Sequence, residues 1–170
     1  MPANKPSRNA AIEPEPGISP LTVLQRFRVL IRAAQKHSQW IEKQSGISGA
    51  QLWALQELAE TQGLRIGELA ERMALHQSTA SNMLDRLEQL GLIRRDRNHR
   101  DQRIVHVTLT PEGAKKLKTA PTPTRGLLPE ALRQMSATDL ALLQQQLDRL
   151  LINAKDLDDG FGMLPLPFNE

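Results

Sequence analysis

The stretch that most restricts how this chain can fold runs from Ile66 to Leu109, where the spacing of apolar residues changes character. Ile66-Gly67-Glu68-Leu69-Ala70-Glu71-Arg72-Met73 sets Leu69, Ala70 and Met73 at helical intervals, which predicts about two turns with those residues buried. Only Ala74 and Leu75 separate it from a second helical stretch, His76 to Gly91, whose first turns are small and polar. Its later Leu84, Leu87 and Leu90 are apolar, as in a helix that anchors its end in a core and offers its start to a polar partner. Gly91 supplies the left-handed residue that ends it. Leu92-Ile93-Arg94-Arg95 then reads as a short strand, and from Ile104 to Leu109 the residues Val105, Val107 and Leu109 alternate with His106 and Thr108, the period of a half-buried strand. The polar run Asp96 to Asp101 between them is hairpin-like.

Two short helices joined by so brief a connection read as a helix-turn-helix, and the hairpin behind them completes a winged helix. From Leu92 to Arg103 the hairpin carries Arg94, Arg95, Arg97, Arg100 and Arg103 against Asp96 and Asp101. Its balance of +3 equals the net charge of all 170 residues. Arginine suits narrow minor grooves and phosphate forks. Alone, such a loop would read as a solvated charged surface; directly after a helix-turn-helix it forms one docking surface with it, for double-stranded DNA. Gln77, Ser78, Thr79, Ser81 and Asn82 have side chains that reach base edges or phosphates from a helix lying in the major groove. Ser78 or Thr79 is expected to cap the helix as well. Arg86 is read as a phosphate contact, with an ion pair to Asp85 or Glu88 as the alternative.

The flanks are helical. From Met1 to about Ser19 the chain holds Pro2, Pro6, Pro14 and Pro16 and almost no large apolar residue, so it is expected to be a flexible arm. A long helix starts near Pro20, with Leu24, Phe27, Ile31, Ala34 and Ile41 in a stripe interrupted only by Ser38, and ends at Gly46. Ser48-Gly49-Ala50-Gln51 is a capping box opening a second helix that stops near Gly63. Thr110-Pro111-Glu112 opens another, to about Thr119; a short helix follows between Thr124 and Gln134. Ser136 to Asp139 is a further capping box, before Leu140, Leu143, Leu147 and Leu150, widened by Leu142 and Leu151, a face that needs more than one neighbour. The tail Phe161 to Phe168 reads as non-helical, with apolar residues that find a surface.

With no cysteine the chain has no disulfide, thiolate metal site or thiol switch. His37, His76, His99 and His106 show no metal-ligand spacing, and neither a glycine-rich phosphate loop nor a G-x-S-x-G elbow occurs, so no metal, cofactor or enzymatic activity is expected. No stretch has the length of a membrane span and no secretory signal is read at the N-terminus; the protein is expected to be cytoplasmic. Trp53 is expected in the core; Trp40 reads as core, dimer contact or pocket wall.

From Leu21 to Ala154 the order of elements resembles the MarR family of bacterial winged-helix transcription regulators. The resemblance is carried by Met83 to Ile93, by Asp101-Gln102-Arg103 in the hairpin, and by Leu109-Thr110-Pro111-Glu112-Gly113. It implies a mainly α fold with a β-hairpin wing and terminal helices interlocked in a homodimer on a palindromic operator. In the family Asp-x-Arg pattern the acid braces the arginine for the minor groove, roles that fall on Asp101 and Arg103, while Gln77 to Asn82 and Arg86 take the recognition-helix role. The implied organisation is 1–19 as arm, 20–63 as core and dimerisation helices, 64–110 as the DNA-binding lobe, 111–156 as dimerisation helices, and 157–170 as the apolar tail. Many members release DNA on binding a small aromatic or anionic effector, for which His37, Trp40 and Trp53 are the candidate crevice here. Oxidant-sensing members use a cysteine, so that mechanism is excluded. The competing reading is a winged-helix adaptor that binds protein and no specific DNA; it would more often present apolar or aromatic anchors where this chain has arginines and a polar helix start.

Overall fold

Alternation of helical and strand patterns is realised in a computed structural model that describes residues 18–97, 105–154 and 157–168, without the side chains of Arg97 and Asp159. In chain order the elements are α1 (Pro20–Ser45), α2 (Gly49–Glu60), β1 (Leu64–Arg65), α3 (Ile66–Arg72), α4 (Gln77–Gln89), β2 (Ile93–Arg97), β3 (Val105–Leu109), α5 (Pro111–Thr119), α6 (Leu127–Arg133), α7 (Ala137–Ala154) and a short 3-10 helix, Asp159–Met163. The proline-rich arm up to residue 17 lies outside the described residues.

Strand β3 is the centre of an antiparallel sheet in the order β1-β3-β2. Leu64 pairs with Val107 on one side and Arg95 pairs with it on the other. The two-residue β1 was not legible, since it is too short to show a period. One core joins the sheet to the helices: Ile41, Leu52, Leu55, Leu58, Leu69, Leu84, Leu87 and Val107 are all fully buried. Each such side chain contributes about 1.5 to 3 kcal/mol relative to an exposed one. Leu90, expected among them, is exposed, because it is the C-cap of α4 and Gly91, at φ +69°, turns the chain away there.

Helix starts follow the capping chemistry. The Ser48 hydroxyl accepts from the Gln51 amide while the Gln51 side chain accepts from the Ser48 amide, and Thr110 accepts from the Gly113 amide. At α4 the expectation fails: the N-cap is His76, and neither Ser78 nor Thr79 caps, because the cap falls one residue before the helix and both already lie inside it. The tail departs too, since Asp158 accepts from the Gly160 amide and closes a 3-10 turn where no helical structure was expected.

Both long terminal helices leave apolar surface uncovered. In α1 the buried residues are Ala34, Ser38, Ile41 and Ser45, whereas Leu24 and Ile31 of the predicted stripe are exposed, with Val29 and Leu30 beside them. Helix α7 buries nothing, and Leu142, Leu147, Leu150 and Leu151 all face out. No helix of the described residues is long and apolar enough to cross a membrane.

Candidate nucleic-acid interface

Helix α4 divides as its sequence does. Ala80, Met83, Leu84 and Leu87 are buried against α3 and the sheet. On the opposite side Gln77, Ser78, Asn82 and Arg86 are exposed, with Thr79 and Ser81 half-buried. Ser78, Asn82 and Arg86 follow one another at intervals of four, so they stand in one row along the helix. None of these six side chains hydrogen-bonds another described residue, and Arg86 pairs with neither Asp85 nor Glu88.

Those two acids are engaged by the wing. Arg95 of β2 reaches Asp85 and Glu88 with one guanidinium nitrogen, the latter at 3.3 Å, and donates from the other to the Ser81 carbonyl at 3.1 Å. Its own amide donates to Glu88 at 3.2 Å. One arginine thus lies along Ser81, Asp85 and Glu88 and clamps the wing base to α4. Arg94 is turned to Asp96 at 2.9 Å and to the Thr108 hydroxyl at 3.1 Å. The +3 read from the hairpin therefore overstates what β2 itself offers a partner, because Arg94 and Arg95 are held by acids of the same chain. The Arg97 side chain and the whole of Arg100, Asp101 and Arg103 lie outside the described residues.

Between α2, α3 and the segment before α6 is a charged cluster that the sequence did not suggest. Glu57 of α2 is buried, accepts from Trp53 Nε1 at 2.9 Å and Arg125 Nε at 2.8 Å, and lies 3.6 Å from Arg72. The Arg125 guanidinium also grips Glu60. That hydrogen bond, followed by one from Gln56, holds the Glu60 carboxyl below its ordinary range. The available signal was Glu57 itself, a carboxylate between Leu55 and Leu58 that needs a cation to be buried.

The three crevice candidates do not meet in one place. His37 and Trp40 lie side by side on α1, ring centroids 5.6 Å apart, and His37 Nε2 donates to the Pro123 carbonyl at 3.1 Å. Trp40 is largely exposed rather than core. Trp53 is only partly buried and lines a separate groove with Arg72, Arg125, Pro129, Leu132 and Arg133. Among the described residues no group of three or more His, Asp or Glu side chains is placed to hold a metal ion.

A helix-turn-helix whose second helix is backed by a three-stranded sheet defines the winged-helix class. Residues 47–105 match the MarR family. The chain is 44% identical over 73 residues to the HTH-type transcriptional repressor MdtR of Bacillus subtilis, a match covering 43% of this chain and 46% of that protein. It is 37% identical over 106 residues to the organic hydroperoxide resistance transcriptional regulator of the same organism, covering 62% of this chain and 70% of that one. The fold is similar to that of Sco3205, a MarR family transcriptional regulator from Streptomyces coelicolor solved in complex with DNA, at TM-score 0.57 and 22% identity over 82% of this chain and 92% of that one. The chain belongs to the MarR family of winged-helix transcription regulators.

Proposed function

We propose that the protein is a transcription regulator that binds a palindromic double-stranded DNA operator as a homodimer. Each α4 enters a major groove with Gln77, Ser78, Thr79, Ser81 and Asn82 toward the bases and Arg86 on a phosphate, and the wing, which also carries Arg97, brings Arg103, braced by Asp101, together with Arg100 to the adjacent minor groove. The observation that carries this reading is the exposed row Ser78, Asn82, Arg86, unpaired within the described chain, on a helix that Arg95 holds rigidly to the wing. Binding across a promoter would repress it, in keeping with the similarity to a protein named as a repressor.

The homodimer reading rests on the uncovered apolar faces of α1 and α7, contiguous exposed surface of the kind that marks an interaction site. On this reading 20–63 and 111–156 form the dimer base, 64–110 reads DNA, and the base sets the distance between the two reading helices. A small aromatic or anionic effector would act by changing that distance. The groove lined by Trp53, Pro129 and Leu132 beside Arg72 and Arg133 has the chemistry for it, with His37 and Trp40 near the same base. The adaptor alternative is disfavoured by a reading surface without aromatic or large apolar anchors, and nothing in the site calls for catalysis.

Selection of bound duplexes from a random pool tests this. The expected product is a palindrome with half-sites roughly 34 to 36 Å apart, and binding that falls steeply with salt. Recovery of no preferred sequence would favour the adaptor.

A further inference from the structure

The tail makes contacts that DNA binding does not require. In α1, α2 and α3 the N-cap amide is satisfied locally by a side chain three residues on: Thr22 for Ser19, Gln51 for Ser48, Glu68 for Arg65. In α4 the corresponding residue is Thr79, which does not do this. The His76 amide instead donates to the Met163 carbonyl, at 3.0 Å. At its other end the tail is held by Ser38, whose buried hydroxyl donates to the Phe168 carbonyl at 2.6 Å. A serine inside a helix commonly bonds back to a carbonyl one turn earlier, as Ser45 does to Ile41. Ser38 spends its proton on the tail, which explains the polar gap in the stripe of α1.

Between these anchors Leu164 and Pro165 form one wall of a cleft whose lining also includes Gln51, Thr79, Asn82 and Arg86. Further along, Leu166 and Phe168 pack near Ala34, His37 and Ile41. Three of the six side chains assigned to the reading face thus share a cleft with the tail.

We propose that Asp159–Phe168 is an intramolecular strap that competes with DNA for the edge of α4 while tying that helix to α1. The inference rests on α4 being the DNA-reading helix. A duplex seated on Thr79, Asn82 and Arg86 would enter the cleft that Leu164 and Pro165 wall on the other side, so the docked strap and the DNA contend for the same edge of α4. Once the strap leaves, the Thr79 hydroxyl is the local acceptor for the His76 amide, so release costs α4 little. The apparent affinity for DNA is then the intrinsic one reduced by the fraction of molecules with the strap undocked.

The test uses the full chain carrying Leu164→Ser with Leu166→Ser, uncharged changes at partly exposed positions, and separately Ser38→Ala. Two quantities are followed: binding to pooled random-sequence duplex DNA, and hydrogen exchange of the His76 amide. The expected result is a slowly exchanging His76 amide in the unchanged protein that becomes fast in the double variant, with DNA binding tightened on the order of tenfold, about 1.4 kcal/mol. Ser38→Ala should fall between. Faster His76 exchange with equal or weaker DNA binding would overturn the competition while leaving α4 as the reader. A His76 amide that exchanges equally fast in both proteins would show that the strap does not dock. If neither protein binds DNA, the reading of α4 falls and the competition with it.

Discussion

Arg95 in β2 is paired with Asp85 in α4, and through the same guanidinium with Glu88 and the Ser81 carbonyl, so the first wing strand is fastened to the helix proposed to read DNA. Arg95 is mostly buried, its acids about half exposed. A strand that bears wing arginines and a helix that bears polar side chains can act as one surface only if their relative position is fixed, and this residue fixes it.

Arg95→Ala should therefore lower stability modestly and DNA affinity more. The exposure of Asp85 and Glu88 limits the loss in urea unfolding to about 1 to 2 kcal/mol. Arg95→Lys should recover little, because a lysine cannot reach Ser81, Asp85 and Glu88 with one planar fork. Equal stability and equal DNA binding in Arg95→Ala would show that the clamp is ornamental.

The Glu57 cluster should behave differently, since Glu57 and Arg125 at its centre are hidden. Glu57→Ala removes the buried acceptor of both Trp53 Nε1 and Arg125 Nε while Glu60 still holds the other side of the Arg125 guanidinium, and should cost about 2 kcal/mol in chemical unfolding. Glu60 adds an acid dependence. Its folded carboxyl lies below the ordinary value, so its contribution is present above the unfolded carboxylate range and is lost as pH falls through the folded value. Glu60→Gln should flatten the fall in melting temperature on moving from neutral pH into acid, and an unchanged slope would argue against the Arg125 bond.

Gly113 is needed for space, not for an unusual φ. A β-carbon there would lie 2.0 Å from the Leu92 carbonyl oxygen and 2.9 Å from Leu109 Cδ1. Because the nearest obstacle is backbone, Gly113→Ala must push α5 from the sheet, an overpacking that should cost about 2 to 3 kcal/mol in thermal or urea unfolding. A neutral Gly113→Ala would mean that α5 is not seated as described.

What was legible followed from periodicity and caps. Leu84 and Leu87 marked the buried side of α4, Ser48 and Thr110 marked helix starts, and Val107 marked the strand at the centre of the sheet. What was not legible depended on partners distant in sequence. Nothing local distinguishes Arg95, which turns inward to Asp85, from Arg94 beside it, which turns to Asp96, or links Glu57 to Arg125. Leu64 and Arg65 form a strand only because Val107 and His106 lie beside them. His76 was read as a helix start, but its bond to Met163 joins residues too far apart for any pattern to announce. Arg100, Asp101 and Arg103 rest on the family resemblance alone.

The most direct test of the central claim is quantitative binding of the selected duplex, and of single-base variants of it, by Asn82→Ala and Arg86→Ala across a range of salt. Asn82→Ala should cost on the order of 1 to 3 kcal/mol and relax the preference at one position of each half-site. Arg86→Ala should instead weaken all sequences alike and reduce the salt slope by about one per half-site. Unchanged affinity, sequence preference and salt slope in both variants would contradict the assignment of α4 as the element that reads DNA.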